Sequence, residues 1–551
     1  MRIALAQINP VIGDFPGNTT KICEYIDRAK GLGADLVVFP ELSLMGYPPR
    51  DLLDKRSFVR DSKQYWDTVR DASRGIGVIF GAVSENTVAP GKPYHNSAVF
   101  YADGKLLACA HKRLLPFYDV FDEERYFEPG ERSVWVDFRG ERIGITVCED
   151  AWNVKDFLPR PIYRCDPVCE LREAGARILI NISASPFHSG KAAWVGQLLK
   201  THAVQTKMQI IYVNQVGGND ELIFHGHSMA WDETGSLAAC GADFREDLVM
   251  YDTQTRTGDL HSSNLDRVSE VLEALVLGLR DYAAKCGFRK AVLGLSGGVD
   301  SALTACIACL ALGSENVLGV GMPGPYNAPE SLDDARELAS RLGIEFKAVP
   351  IADMFHASLK TLAGPFEGYA PDVTEENLQA RLRGLILMSF SNKFNRLLLS
   401  TGNKSEVSVG YCTLYGDMNG GLAVLGDIPK TLVYELAYKI NEKDGWIPEN
   451  TLVRAPSAEL RPNQTDQDSL PPYDVLDEIL SAYVEKRMPV DMIVAQGYDA
   501  KLVQWVAGRV DCNEYKRWQA PPILRVTTKA FGTGRRFPIA HRFREGRLLC
   551  R

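Results

Sequence analysis

Several features that would place the chain in a membrane, on a nucleic acid or outside the cell are missing from the sequence. No apolar run reaches the ~20 residues that a helix needs to cross a bilayer. Positive charge is not in excess: the net charge is −8, which argues against a general nucleic-acid or anionic-membrane surface. Met1 leads directly into RIALAQINPVIG, without the basic, apolar and cleavage regions of a signal peptide. We therefore expect a cytoplasmic protein with no membrane or nucleic-acid partner.

A regular cysteine framework is also missing. The 12 cysteines are scattered along 551 residues, which in a chain without a leader is typical of reduced thiols. Cys165 and Cys169 have no second ligand pair nearby, so a zinc site is not expected. Cys306 and Cys309 lie in a stretch of small apolar residues and are predicted to be core residues of a helix.

The chain contains no internal repeat or low-complexity block, and its length predicts roughly two to four domains. Short β-rich runs such as RIALAQI, ADLVVFP and RIGITVCED alternate with helical stretches, which predicts a layered α/β domain over residues 1–252. Residues 253–264 are polar and lack apolar periodicity, so we place a linker there. Residues 265–551 begin with an amphipathic helix and continue as strand KAVLGL, a glycine turn, helix DSALTACIACLALG and strand NVLGVGMP. This βαβ unit predicts a doubly wound, Rossmann-like parallel sheet.

Reactive side chains follow several strands of the first half. Glu41 follows LVVFP, Lys112 lies in CAHKRLLP, and Cys148 ends RIGITVC, just before Asp150. Together these residues could cleave an amide: a thiolate attacks the carbon, a carboxylate carries the proton to the leaving ammonia, and a cation stabilises the oxyanion. A nearby lysine would also lower the thiol pKa. Taken singly, a strand-end cysteine is more often a small buried hydrophobe, and Glu and Lys beside turns are more often solvated.

The order of motifs in the first half resembles the nitrilase (carbon–nitrogen hydrolase) superfamily. The strings are FPELSLMGYPP, HKRLLP, FDEERYF, CEDAW and NISASPFHSGK, and they are most similar to the glutaminase domain of glutamine-dependent NAD+ synthetases. The resemblance implies an αββα sandwich with Glu41 as general base, Lys112 as oxyanion stabiliser, Cys148 as nucleophile and Glu123 as an assisting glutamate. It also implies three residues that bind glutamine: Tyr118, Ser185 and Lys191. Where family members often have glycine after the tyrosine, this chain has Asp119, which leaves the shape of that loop open.

A glycine-rich turn stands out in the second half. Residues 295–301 read LSGGVDS between an apolar strand and a helix, so backbone N–H groups and the helix N-terminus could hold phosphate oxygens. Ser296 and Ser301 add hydroxyl donors, and Asp300 would hold Mg²⁺ that the phosphates also contact. The alternative is a strand–turn–helix connection in which Asp300 is only the N-cap. The ending of a Walker A motif is missing.

SGGVDS resembles the pyrophosphate loop of N-type ATP pyrophosphatases, and four later strings resemble the NAD+ synthetases among them. These strings are TEENLQARLRG, STGNKSEVSVGYCTLYGDMNGGLAVLGDIPKT, PSAELRPNQTDQD with LPPYDVLDEIL, and NEYKRWQAPP. The resemblance implies Asn377, Glu406 and Lys516 at the deamido-NAD+ site, Asp300 and Glu406 as Mg²⁺ ligands, and a mobile lid over residues 457–470. It implies these ATP-binding residues: Gly294, Leu295, Ser296, Gly297, Gly298, Val299, Asp300, Ser301 and Thr401.

The two resemblances together imply a ligase with two coupled half-reactions. Glutamine would be hydrolysed through a thioester on Cys148, which releases ammonia and glutamate. The carboxylate of deamido-NAD+ would attack the α-phosphate of ATP, and ammonia would displace AMP from the acyl-adenylate to give NAD+. Because ammonia near neutral pH is mostly ammonium, we expect the domains to dock and carry it through a dry tunnel. The resemblance also implies a homo-oligomer.

Two other functions and two local patterns stay open at this point. The same modules could modify an RNA base, although the acidic balance argues against that class. The first half could instead be a non-catalytic docking module on an ammonia-fed synthetase. His225 and His227 in FHGHS are interpreted as part of a strand and turn rather than a metal site. The last seventeen residues contain six arginines, a pattern typical of a solvated or inter-subunit surface, although contact with dinucleotide phosphates is also conceivable.

Overall fold

The computed structural model describes residues 1–154, 162–543 and 545, which form two compact units, 1–264 and from residue 265 onward. No helix among these residues is long and apolar enough to span a bilayer. Among these residues ten cysteines form no disulfide bond, but Cys512 is disulfide-bonded. The prediction of reduced thiols was therefore wrong there, because spacing along a chain does not reveal spatial pairing.

The N-terminal unit contains five helices and fifteen strands among its described residues. The helices are α1 (Phe15–Gly31), α2 (Arg56–Lys63), α3 (Trp66–Ala72), α4 (Pro167–Glu173) and α5 (Lys191–Thr206). The strands are β1 (Arg2–Gln7), β2 (Leu36–Val38), β3 (Gly77–Glu85), β4 (Tyr94–Ala102), β5 (Lys105–His111), β6 (Val134–Phe138), β7 (Glu141–Val147), β8 (Ile178–Ser183), β9 (Gln209–Asn214), β10 (Val216–Asn219), β11 (Leu222–His225), β12 (Met229–Trp231), β13 (Leu237–Cys240), β14 (Asp247–Asp252) and β15 (Thr257–Gly258).

These strands form two large mixed sheets and one small hairpin. The first sheet has the order β15-β14-β1-β2-β3-β4-β5, the second has the order β13-β12-β9-β8-β7-β6, and β10 pairs with β11. Strand β8 shows how alternation builds the layers: Ile180 and Ile182 pack into the core between the sheets, while Leu179 packs outward with Leu199 of α5. On the first sheet, α1 covers the outer face in the same way. The predicted αββα sandwich is confirmed.

The polar segment 253–264 is structured. Thr257–Gly258 pairs antiparallel with β14, and the Asp243 carboxylate accepts hydrogen bonds from the Ser262 hydroxyl at 3.0 Å and the Ser263 N–H at 2.8 Å. A two-residue edge strand is too short to produce a periodic pattern of apolar residues. The sequence of this segment therefore reveals only that it is polar.

The C-terminal unit contains twelve helices and five strands among its described residues. The helices are α6 (Arg267–Lys285), α7 (Val299–Leu312), α8 (Pro329–Leu342), α9 (Ala352–Leu362), α10 (Val373–Phe394), α11 (Lys404–Val409), α12 (Lys430–Asp444), α13 (Glu449–Val453), α14 (Tyr473–Leu480), α15 (Val490–Val494), α16 (Ala500–Cys512) and α17 (Glu514–Arg517). The strands are β16 (Ala291–Gly294), β17 (Val317–Gly321), β18 (Glu345–Ala348), β19 (Leu397–Ser400) and β20 (Leu422–Ala423).

The five strands form a parallel sheet in the order β18-β17-β16-β19-β20. The chain therefore begins in the middle of the sheet, proceeds to one edge, and returns to fill the other side, which confirms the doubly wound fold. In such sheets ligands bind where the strand order reverses, at the carboxyl ends of the strands. That point lies between β16 and β19. Helix α7, which follows β16, buries Cys306 and Cys309 in the core, as predicted.

The arginine-rich tail is described only in part. Arg535 forms an ion pair with Glu514 at 2.5 Å and lies over the ring of Phe537. Arg544, Arg547 and Arg551 lie outside the described residues.

Replacing Gly81 of β3 by alanine should destabilise the N-terminal unit. An added Cβ would lie 2.1 Å from Leu42 N and 2.5 Å from Pro40 O, and these backbone atoms belong to the turn that carries Glu41. We expect a loss of about 1–3 kcal/mol in the free energy of unfolding, measured by denaturant titration. The control is Gly196→Ala in α5, where the nearest heavy atom is 3.5 Å away and alanine favours the helix. Equal stability of the two variants would contradict the steric argument.

Candidate active sites

The first candidate site lies where strands of both sheets of the sandwich end. Glu41 follows β2 and Lys112 follows β5, both in the first sheet, whereas Cys148 follows β7 of the second sheet. Glu123 begins a short 3-10 turn after β5. All four side chains are buried. The structure thus brings together the four residues that the sequence singled out for amide cleavage.

Lys112 is the centre of this cluster. Its fully buried Nζ donates to Glu41 Oε1 and to Glu123 Oε1, both at 2.8 Å. Burial alone would lower the pKa of Lys112, but Glu123 and then Glu41 raise it well above the usual range. Burial raises the pKa of Glu123 to about 7, with Lys112 opposing and Glu41 adding to the rise. The cluster therefore carries a permanent cation and a glutamate able to gain or lose a proton near neutral pH.

Three further groups hold the two glutamates, and sequence reasoning missed all of them. Asn96 of β4 donates to Glu41 Oε1 at 2.6 Å, and the Ala184 N–H donates to Glu41 Oε2 at 2.9 Å. The Tyr47 hydroxyl donates to Glu123 Oε1 at 2.8 Å. The pairing of β4 with β5 places Asn96 beside Lys112, whose N–H donates to the Asn96 carbonyl at 2.8 Å. These contacts fix the direction in which each carboxylate points.

Cys148 occupies a strained turn. Its φ is +44°, a left-handed conformation that is uncommon for residues other than glycine and that often marks functional sites. Burial, and then the charge of Glu41, raise the pKa of Cys148 above its usual range, although Lys112 acts in the opposite direction. Lys112 thus lowers the thiol pKa as expected, but burial of the sulfur outweighs the attraction of one ammonium, so the thiolate fraction is not raised. The resting group is a thiol that needs a base.

Asp150 connects the Cys148 turn to the segment that follows Lys112. Its Oδ1 accepts from the N–H groups of Arg113 at 2.9 Å and Leu114 at 2.8 Å, and its Oδ2 accepts from the Val147 N–H at 3.0 Å. The motif CEDAW places Asp150 beside the nucleophile. Its contacts with residues more than thirty positions away could not be predicted, because no local sequence pattern indicates them.

A buried carboxylate, Glu149, lies next to the nucleophile. The hydroxyls of Tyr118 and Tyr163 each donate to its Oε1 at 2.9 Å. Burial raises the pKa of Glu149, and Lys112 opposes that rise. Sequence reasoning selected Tyr118 but missed Glu149. Asp119, which stands where relatives often have glycine, has a φ of +55°, so it adopts the conformation that glycine tolerates best.

Of the other two residues selected as glutamine ligands, Lys191 lies near enough to Glu149 to lower its pKa. Lys191 begins α5, its Nζ donates to the Pro186 carbonyl at 2.5 Å, and it lies 5.3 Å from the ring centre of Trp152. The Ser185 N–H donates to Asn214 Oδ1 at 2.9 Å. Both side chains are buried, so a small polar substrate would meet few competing solvent contacts.

The second candidate site begins with the loop after β16. Gly297 has a φ of +83°, and an added Cβ would lie 2.4 Å from the Ser331 carbonyl oxygen, so a side chain is excluded there. Ser296 Oγ and Ser301 Oγ lie 3.1 Å apart, and the Ser301 hydroxyl donates to the Gly298 carbonyl at 3.0 Å. The loop is thereby folded against the N-terminus of α7, the geometry in which backbone N–H groups bind phosphate.

Asp300 and Glu406 converge on Lys430, which sequence reasoning missed. Lys430 Nζ donates to Asp300 Oδ2 at 2.5 Å and to Glu406 Oε1 at 3.4 Å, and Asn403 donates to Asp300 Oδ1 at 2.8 Å. Burial raises the pKa of Glu406 to about 8, with Lys430 opposing and Asp300 and Asp466 adding to the rise. Across residues 1–154, 162–543 and 545, no three His, Cys, Asp or Glu side chains form a metal-binding group.

The remaining predicted residues lie around the same edge of the sheet. Thr401 follows β19, the neighbour of β16. Asn377 of α10 accepts a hydrogen bond from the Thr413 hydroxyl at 2.8 Å, and Lys516 Nζ donates to the carbonyls of Gly410 and Cys412, both at 2.7 Å. Asn377 and Lys516 thus hold the turn after α11. A small cleft opens beside it, lined in part by Ser400, Glu406, Cys412, Asp417 and Pro521.

The segment predicted as a lid, residues 457–470, is hydrogen-bonded close to the glycine loop. Glu459 accepts from Asn327 Nδ2 and from the Ser331 hydroxyl, both at 2.6 Å, and Ser331 is the residue that faces Gly297. The Leu460 carbonyl accepts from Gln379 Nε2 at 3.0 Å. The segment therefore contacts the loop it was expected to cover, and its movement stays a prediction.

Comparison with known protein families agrees with this division into two sites. The carbon–nitrogen hydrolase family matches residues 2–260, and the NAD synthase family matches residues 271–520. A protein of Synechocystis sp. named glutamine-dependent NAD(+) synthetase is 44% identical over 550 residues, which covers 98% of this chain and 99% of that protein. One of Thermotoga maritima with the same name is 43% identical and covers 99% of both chains.

Solved structures agree as well. The glutamine-dependent NAD+ synthetase of Acinetobacter baumannii, solved in complex with ADP, is 40% identical to this chain, with a TM-score of 0.77 and 98% of each chain covered. The enzyme of the same name from Cytophaga hutchinsonii, at 22% identity and a TM-score of 0.84, shares the fold.

Alanine at Gly297 should destabilise the C-terminal unit more than alanine at Gly298. The first substitution combines a positive φ with the 2.4 Å contact, whereas Gly298 has a φ of −88° and its added Cβ would lie 3.4 Å from Ser296 Oγ. We expect a loss of about 1–3 kcal/mol for Gly297→Ala and a smaller one, within about 1 kcal/mol, for Gly298→Ala. Calorimetric unfolding measures both. Equal losses would show that the loop does not require the left-handed conformation.

Proposed function

The chain belongs to the glutamine-dependent NAD+ synthetases, which are ligases, and on that premise we propose that it joins glutamine hydrolysis at Cys148 to ATP-dependent amidation of deamido-NAD+ at the loop after β16. The single observation that carries the proposal is the buried cluster in which Lys112 lies between Glu41 and Glu123 beside Cys148. A cation, a base and a thiol in one solvent-free site are the groups that amide cleavage requires.

In the first half-reaction, Glu41 takes the proton of the Cys148 thiol as the sulfur attacks the glutamine carboxamide carbon. This base is needed because burial keeps the thiol protonated. Lys112 Nζ stabilises the oxyanion, and Glu41 returns the proton to the nitrogen, which leaves as ammonia. Water then hydrolyses the thioester to glutamate. Glu123 holds Lys112 in place and keeps it charged.

The groups around Glu149 fit the other end of glutamine. A buried carboxylate that already accepts from the Tyr118 and Tyr163 hydroxyls is suited to an α-ammonium group. Lys191 and Ser185 are suited to the α-carboxylate, with which the lysine ammonium would form a charge-assisted hydrogen bond. Glutamine would therefore bind between opposite charges, with its carboxamide toward Cys148.

In the second half-reaction, the carboxylate of deamido-NAD+ attacks the α-phosphate of ATP, which gives an acyl-adenylate and pyrophosphate. Adenylation converts a poor acyl donor into a good one, and ammonia then displaces AMP to give NAD+. The N–H groups of residues 294–301, the hydroxyls of Ser296 and Ser301, and the Lys430 ammonium supply positive charge to the phosphates. Thr401 would bind ATP, while Asn377, Glu406 and Lys516 would border the dinucleotide.

The residues present fit Mg²⁺. Asp300 and Glu406 offer the hard oxygen donors that Mg²⁺ takes together with phosphates and water. Asp300, Glu406 and Asp466 all act on the single ammonium of Lys430, so this pocket contains more acidic than basic side chains. When bound, Mg²⁺ would neutralise charge on the phosphates. Transfer of ammonia between the two sites without release, a homo-oligomeric state and a cytoplasmic location stay predictions.

Cys148→Ala should abolish glutamine-supported NAD+ formation and leave ammonia-supported formation intact. The variant lacks the nucleophile of the first site but keeps every group of the second. The measurement is NAD+, AMP and pyrophosphate from deamido-NAD+ and ATP, with glutamine or ammonium as the nitrogen source. Cys23→Ala, which removes a half-buried thiol of α1, is the control and should keep both activities. Glutamine use by Cys148→Ala would mean that the N-terminal unit is a docking module.

Asp300→Ala should stop amidation from either nitrogen source, with a fall of at least about a hundredfold in kcat. The variant removes the carboxylate that binds Lys430 and that we assign to Mg²⁺. Pyrophosphate release measures the step directly, and glutamine hydrolysis reports that the N-terminal unit is folded. Asp333→Ala removes an exposed acid of the same unit and should be neutral. Retained pyrophosphate release in Asp300→Ala would remove the metal assignment.

A further inference from the structure

Three polar side chains share one face of the strands next to Cys148. Asn181 and Ser183 are two residues apart on β8, so they point to the same side of the sheet. Tyr212 of β9 is the register partner of Asn181. All three are at most 2% exposed. The nucleophile therefore has a polar, solvent-free neighbourhood that the glutamine-cleavage scheme does not use.

Each of the three side chains has an oxygen without a hydrogen-bond partner among the described residues: Asn181 Oδ1, Ser183 Oγ and Tyr212 Oη. A buried polar oxygen left unpaired costs about 1–3 kcal/mol, and such groups are uncommon in folded proteins. Three on adjacent strands indicate a place that is built to hold a small molecule able to hydrogen-bond to several oxygens.

The orientation of Asn181 makes its free atom an acceptor. Its Nδ2 donates to the Cys148 carbonyl at 3.2 Å and to Thr146 Oγ1 at 3.1 Å. A carbonyl oxygen can only accept, so the amide nitrogen must face Cys148 and the amide oxygen remains free. This contact also ties the asparagine to the backbone of the nucleophile.

Ser183 acts on both the sulfur and the tyrosine. Burial, and then Cys148, raise the pKa of Tyr212, while the hydroxyls of Ser183 and Ser185 act in the opposite direction. The Ser183 hydroxyl likewise opposes the rise in the pKa of Cys148. The hydroxyl is thus near both groups, although neither its oxygen nor that of Tyr212 has a partner with hydrogen-bond geometry.

We propose that Asn181, Ser183 and Tyr212 form a nitrogen pocket, which binds the NH₂ group of the glutamine carboxamide and then the ammonia released from it. An amide nitrogen presents two N–H donors and ammonia presents three, which match a set of acceptor oxygens. The pocket takes part in no new covalent step: the carbon–nitrogen bond breaks as Glu41 gives its proton to the nitrogen. The inference rests on the proposed glutaminase activity and specifies which atoms recognise the leaving group.

The test compares two acyl donors that differ in the leaving group. L-Glutamine leaves as ammonia, whereas the γ-methyl ester of L-glutamate leaves as methanol and has no N–H at that position. Tyr212→Phe should lower kcat/KM for glutamine about tenfold, the effect of one lost hydrogen bond in a dry site, and leave kcat/KM for the ester unchanged. Glutamate production by the full-length chain, with deamido-NAD+ and ATP present, measures both.

The matched control is Tyr251→Phe. Tyr251 is also buried, but its hydroxyl donates to Gln209 Oε1 at 2.7 Å, at the opposite end of β9. It should lower neither rate. Ser183→Ala should repeat the pattern of Tyr212→Phe and serves as the second variant if thermal unfolding shows that the first has lost its fold.

The outcomes separate this inference from the function on which it rests. Equal losses on glutamine and on the ester, or no loss on glutamine, in the folded variants would overturn the nitrogen pocket. Failure of the wild-type chain to hydrolyse glutamine would instead overturn the proposed glutaminase activity. A loss confined to the amide is the expected result.

Discussion

The N-terminal unit depends on one enclosed cation. Lys112 is completely removed from solvent, and an ammonium group in that position is tolerated only if carboxylates replace its hydration. Glu41 and Glu123 do so at 2.8 Å each, and they come from separate parts of the chain. The ion cluster therefore fixes the ends of β2 and β5 and the following turn relative to one another. Loss of either glutamate would remove one of the two carboxylates that replace the hydration of a buried ammonium, which is more costly than loss of an ordinary surface ion pair.

The C-terminal unit also buries a lysine ammonium, but the carboxyl groups around it are arranged differently. Lys430 is buried, but one of its two carboxylate contacts is 3.4 Å long, and burial raises the pKa of Glu406 to about 8. Asp466 also acts on Lys430, so three carboxyl groups lie around one ammonium. Such a group of acids favours binding of a second cation, whereas Lys112 is held at 2.8 Å by both of its carboxylates. We infer that the first site is built for chemistry by its own side chains and the second for chemistry on a charged ligand complex.

The sequence predicted what depends on local pattern. The alternation of apolar residues identified the strands, and the glycines of SGGVDS identified a turn that only glycine can form at Gly297. It did not predict Asn96 or Lys430 as parts of the sites. Asn96 bonds to a residue 55 positions away and Lys430 to one 130 positions away, so no spacing rule relates them. The sequence predicted the effect of the lysine on the pKa of Cys148 but not the larger effect of burial, because burial is set by residues distant in the chain.

Each site contains a residue with a positive φ, and the residue type at that position depends on whether its side chain takes part in the chemistry. At Gly297 the loop needs only N–H groups and space, so glycine provides a φ of +83° without steric cost. At Cys148 the side chain is the reactive group, so a residue with a Cβ must adopt a φ of +44°, at a cost of order 1–3 kcal/mol. Asp150 offsets that cost, because its carboxylate accepts three backbone N–H groups around the turn. Asp150, two residues after the nucleophile, thus helps to hold the cysteine in this conformation.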